Sequence, residues 1–109
     1  MRILKLRYRQ TEISIYESDT NNWVCPVCGY PKLNKIPYSF DEVATFTMCP
    51  YCMFEFGFDD DPSASNEACF NIIESWRTYR NNFLEEITDD IEKVKKVKEW
   101  LKDIGVNID

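Results

Sequence analysis

Two cysteine pairs, Cys25-Pro-Val-Cys28 and Cys49-Pro-Tyr-Cys52, are separated by 20 residues in a chain of 109. This spacing constrains the fold more than any other feature. Two residues between cysteines let a tight turn aim both sulfurs at one point, and two such turns from opposing hairpins complete a tetrahedron. Pro26 and Pro50 pre-set the backbone of each turn. Gly29 supplies the permissive conformation that follows such a knuckle, whereas the matching position in the second is Met53, which predicts local strain there. The expected metal ligands are therefore Cys25, Cys28, Cys49 and Cys52. Four thiolates suit Zn²⁺, or less readily a single iron. A site filled by four protein ligands leaves no position for water or substrate, so the metal is expected to be structural. A thioredoxin-type redox pair needs no second C-x-x-C and a βαβ setting that is absent here.

The chain contains no histidine, which excludes Ser-His-Asp and Cys-His catalysis together with mixed Cys/His metal sites. No pair of acids has an evident companion for general acid/base work, so no enzymatic activity is expected. The N-terminus has no unbroken apolar run, and nothing approaches the roughly 20 apolar residues of a membrane span. A cytoplasmic location follows as an expectation, and it agrees with cysteines kept reduced for metal. The formal net charge is −6 and it is unevenly spread. Arg2, Lys5, Arg7 and Arg9 make the first ten residues +4, leaving −10 on the remaining 99. Four bound thiolates and one Zn²⁺ would add a further −2. Such a surface repels phosphate and attracts a basic partner. The alternative, a nucleic-acid-associated ribbon using the four basic residues with Trp23 or Tyr30, runs against this balance.

The expected fold class is α+β: zinc-ribbon-like β-hairpins around a four-thiolate site, followed by two C-terminal helices. One domain spans 1–109, with N-terminal strands over 1–22, the ribbon over 23–61 and a helical segment over 62–109. Residues 2–9 alternate, with Leu4, Leu6 and Tyr8 on one face and Lys5, Arg7 and Arg9 on the other. Residues 11–17 form a second strand with Ile13 and Ile15 on one face. The Gln10-Thr11 link lacks tight-turn signals. The period then changes. Cys69, Ile72/Ile73, Trp76, Tyr79 and Phe83 mark one face of a helix over about 66–85, and Cys69 reads as a core thiol. Ile91, Val94, Val97, Leu101 and Ile104 mark a second over about 89–104, with Thr88 as N-cap and Gly105 as a left-handed stop. Between knuckle and helices, Phe54, Phe56 and Phe58 alternate with Glu55, Gly57 and Asp59, which reads as a strand with one aromatic face. The run Asp59, Asp60, Asp61 reads as a solvated turn or as a contact for a basic partner.

The span from Trp23 to Asp61, with CPVCGYPKL and MCPYCMFEFGFDDD, resembles the small bacterial CPCC-type cysteine-rich proteins, and the downstream IESWRTYRNNF is similar to their short helix. Val27 and Tyr51 stand where an extra cysteine gives that family its CPCC string. The resemblance implies a zinc ribbon. Members occur in bacterial polymorphic toxin systems, some as suspected immunity proteins, so it also implies a protein that binds and neutralises a toxin; the acidic body agrees with a basic one.

Overall fold

The computed structural model describes residues 1–9, 11–39, 43–60 and 72–107. Strands β1 (Arg2–Tyr8) and β2 (Thr11–Glu17) pair antiparallel, with Leu6 opposite Ile13 and Leu4 opposite Ile15. The two-residue alternation works as read: Leu6, Tyr8, Ile13 and Ile15 are buried, while Lys5, Arg7 and Arg9 are exposed. Tyr8 pairs with Thr11, so the turn lies one residue earlier than the Gln10-Thr11 link. Arg9 takes the left-handed conformation there, at φ 50°. That conformation matches the right-handed twist of a two-residue hairpin even without glycine.

The hairpin runs directly into the cysteine-bearing segment. Val24 N–H donates to Tyr16 C=O at 2.9 Å, and Trp23 and Leu33 exchange both backbone hydrogen bonds at 2.9 Å. Beyond this the ribbon is held by single bridges, Tyr38 with Ala44 and Met48 with Glu55, rather than by full strands. Prolines at 26, 31, 37 and 50 interrupt any longer ladder, since each lacks a donor.

Two elements depart from the alternating reading. The Phe54–Phe58 segment coils instead of extending: Phe58 and Asp59 N–H groups both donate to Glu55 C=O, at 3.2 and 3.0 Å. Gly57 at φ 105° turns the chain, with Ala44 and Phe46 too close for any larger residue. Phe54 and Phe56 therefore enter the core and Phe58 points to solvent. The second helix also starts later than read. Thr88 is not its cap; its hydroxyl donates back to Leu84 and Glu85 carbonyls, closing the helix before it. Asp90 is the N-cap, accepting from Lys93 N–H at 3.1 Å.

Helix α1 is described over Ile72–Glu86 and α2 over Ile91–Asp103. The proposed start of α1 near Asn66, together with Cys69, lies outside the described residues. Ile72, Trp76 and Phe83 on α1 and Val97 and Leu101 on α2 are buried against the ribbon. At the end of α2, Gly105 N–H donates to Lys102 C=O and Val106 N–H to Leu101 C=O, the paired hydrogen bonds of a Schellman stop. Among the described residues no helix is long and apolar enough to cross a membrane, and every buried side-chain N or O atom has a hydrogen-bond partner.

Gly29 shows how tightly α2 sits on the ribbon. A Cβ there would lie 2.6 Å from Trp100 Cβ and 2.9 Å from the Leu101 backbone N. Gly105 has the same handedness, φ 81°, with open space around it. Gly105→Ala is expected to cost about 1 kcal/mol of backbone strain alone. Gly29→Ala is expected to cost several times more, because the backbone of α2 must move. Denaturant unfolding of the two metal-loaded variants checks the difference.

Candidate metal centre

The two knuckles are near copies of each other. In the first, Gly29 N–H donates to Cys25 C=O at 2.8 Å and Cys25 N–H to Tyr30 C=O at 2.8 Å. In the second, Met53 N–H donates to Cys49 C=O at 2.8 Å and Cys49 N–H to Phe54 C=O at 3.0 Å. Both closing residues are left-handed, Gly29 at φ 84° and Met53 at φ 67°. The strain expected at Met53 is therefore present, and its side chain stays exposed. Tyr51 N–H points at Cys49 Sγ, 3.4 Å away, as a donor that offsets thiolate charge.

All four cysteines are buried, and their Sγ atoms lie within 4.8 Å of one another, a group able to hold a metal ion. Across the knuckles, Cys25 Sγ is 3.8 Å from Cys52 Sγ and Cys28 Sγ is 3.7 Å from Cys49 Sγ. A tetrahedron with metal–sulfur bonds of about 2.3 Å has sulfur–sulfur edges of about 3.8 Å. These separations are far too long for a disulfide and of the right size for one ion. Burial pushes the Cys25 thiol up, whereas hydrogen bonds from Cys25, Cys28 and Cys52 hold Cys49 well below the usual thiol value. Ligation by a cation resolves this conflict, because it favours the thiolate at all four positions.

Both helices close over the centre. From α1, Arg80 donates through Nε to Val27 C=O at 2.6 Å and through an Nη to Pro26 C=O at 2.8 Å. Burial lowers its pKa from the ordinary value, and the charge of the nearby Cys25 acts against that shift. The guanidinium thus satisfies two knuckle carbonyls and places a cation beside the thiolates. One residue before it, Tyr79 hydroxyl donates to Cys52 C=O at 2.8 Å, and its pKa is pushed up to about 12, first by burial and then by the charge of Cys52. The apolar-stripe reading missed Arg80. It lies four residues after Trp76 and three before Phe83, on the buried face, and a lone arginine at such a position is the available signal.

The three aspartates do not act together. Asp59 is half-buried and accepts from Glu55 N–H at 2.8 Å. Asp60 is only 3% exposed and accepts from Gly57 N–H at 3.1 Å and from the Tyr38 hydroxyl, which in turn accepts from Trp76 Nε1. Burial raises the Asp60 carboxyl above its ordinary value, with those donors opposing the rise. Asp60 is thus an internal strut under α1, which corrects its reading as a partner contact. Asp61 lies outside the described residues.

Two outcomes are expected. Arg80→Met leaves two buried carbonyls unpaired beside an anionic centre, at a cost of about 3 kcal/mol. Arg80→Lys restores part of it; denaturant unfolding and metal competition with a chelator measure both. Met53→Gly relieves left-handed strain and stabilises the protein by roughly 0.5–1 kcal/mol after the entropy of glycine is counted. A lower midpoint in thermal unfolding would contradict that.

In comparisons with protein-family models, with curated proteins and with solved structures, the chain matched none.

Proposed function

We propose that this chain is a zinc-stapled, non-catalytic protein-binding module of the immunity type, which captures a basic bacterial toxin in the cytoplasm. The observation that carries the first half is the enclosed set of four cysteine sulfurs within 4.8 Å. Four protein ligands fill a tetrahedral ion, and the site is buried from substrate. Zinc is the metal that a closed thiolate set most often holds; iron in the same site would colour the protein.

The second half rests on the resemblance to CPCC-type proteins and on charge. The net charge of −6 is supported by an exposed acidic corner between the helices, where Glu85, Glu86, Asp89, Asp90 and Glu92 cluster. Negative charge concentrated there steers a basic protein in and accelerates its association. The nucleic-acid reading is weaker. Arg2 pairs with Glu17 at 2.6 Å, and Arg7 stands opposite Glu12 across the hairpin, so the basic stripe is partly neutralised within the sheet.

Native mass spectrometry of the tagged protein drawn from its own host at low salt tests both halves. One zinc and one basic protein per chain is the expected result. A chain carrying nucleic acid, or carrying zinc with no protein partner, contradicts the immunity reading.

A further inference from the structure

Each knuckle places a tyrosine at the rim of the metal centre. Tyr30 follows Gly29 and Tyr51 precedes Cys52, and their rings stack at 5.6 Å with 13° between planes. Trp100 of α2 presents an edge to both, at 5.8 Å from Tyr30 and 4.8 Å from Tyr51. Phe83 of α1 meets Tyr51 edge to face at 6.2 Å. Tyr30, Tyr51 and Trp100 are only half-buried, so a side chain from outside can reach them.

This cluster already carries a cation from its own chain. Lys93 Nζ lies 4.9 Å from the Tyr51 ring centroid and 5.6 Å from that of Phe83. Glu86, Asp89, Asp90 and Glu92 line the same shallow depression as Lys93. Even so, its ammonium makes no ion pair among the described residues and rests on the two rings instead. None of the rings lines that depression, but Lys93 reaches from it to Tyr51, and Asp90 acts electrostatically on Tyr51; a negative ring face within reach of a carboxylate is the chemistry that receives an alkyl cation. Phosphate or a neutral ligand would gain nothing from either feature.

We propose that the face of Tyr51, flanked by Tyr30 and Trp100 and backed by the buried Phe83, is a recognition site for an arginine or lysine side chain of a basic polypeptide, with Lys93 as the internal occupant that the incoming cation displaces. The proposal rests on the basic-partner reading above and names the surface that serves it. Lys93 then acts as a competitor. Removing it exposes the ring faces, which sets this site apart from a diffuse acidic surface, where any lysine removed has the same effect.

The test is calorimetric titration of the metal-loaded full chain with an octapeptide alternating arginine and glycine, alongside its neutral citrulline counterpart. Lys93→Met and Lys95→Met change the net charge equally, and Lys95 is exposed on another face of α2. The arginine peptide is expected to bind Lys93→Met about three- to fivefold more tightly than Lys95→Met, and the citrulline peptide to bind neither. Tyr51→Leu should abolish that difference; where it alters the metal content, the two lysine variants alone decide. Equal affinities of the lysine variants, or equal binding of the two peptides, overturn the site. If a basic protein still co-isolates while the variants bind the peptide equally, the partner reading stands and the site falls. If the preference appears and no basic protein co-isolates, the site stands and the partner reading falls.

Discussion

Four cysteine sulfurs lie buried within 4.8 Å of one another; as thiolates they would repel, and a cation at their centre would make that arrangement favourable. The rest of the structure is arranged around that cluster, and a metal held there would be its central support. A chain of 109 residues has a modest core, and here the core is built around the sulfurs: Val27, Leu33, Phe54 and Phe56 are fully buried and flank the two knuckles. Among its described residues the ribbon is held by turn hydrogen bonds and single bridges in place of continuous ladders. A structural zinc in such a segment would contribute an apparent ~10–16 kcal/mol by comparison with zinc-finger peptides. That is on the order of the whole stability of a small domain.

The helices use the knuckles as their floor. Arg80 and Tyr79 take carbonyls from the first and second knuckle, at 2.6–2.8 Å, and α2 packs its backbone onto Gly29. A carbonyl facing outward from a turn is free to accept a bond only while the turn keeps its shape. A metal that fixes the knuckles would therefore organise α1 and α2 as well as its own ligands. Four thiolates holding a divalent ion would carry −2, and the Arg80 guanidinium beside them would make such a centre less costly to bury. Second-sphere groups of this kind orient the ligands and tune the ion they hold.

Much of this was legible from residue order. The ligand spacing gave the four cysteines, the period of two gave the hairpin, and the apolar stripes gave both helices and the Schellman stop at Gly105. Met53 was readable as strained because its counterpart in the first knuckle is glycine. What failed has a common physical cause, which is that a polar side chain can satisfy the backbone in more than one way. Thr88 follows one helix and precedes another, and its hydroxyl closes the first instead of opening the second. Asp60 looks like one of three surface acids, yet the Gly57 and Tyr38 donors draw it inward. Phe58 keeps the alternation on paper, but the Glu55 carbonyl coils the chain beneath it. Arg80 is invisible to any pattern that counts only apolar residues.

The most direct measurement is the metal content of the purified chain, followed by titration with a strong chelator while the helical and aromatic circular dichroism are recorded together. One ion per chain is predicted, with both signals collapsing in a single transition as it is removed, and both returning when zinc is restored. Helix and aromatic signals that survive complete removal of the metal would contradict the account, because the ribbon and its helices would then stand without the charge on which they are argued to depend.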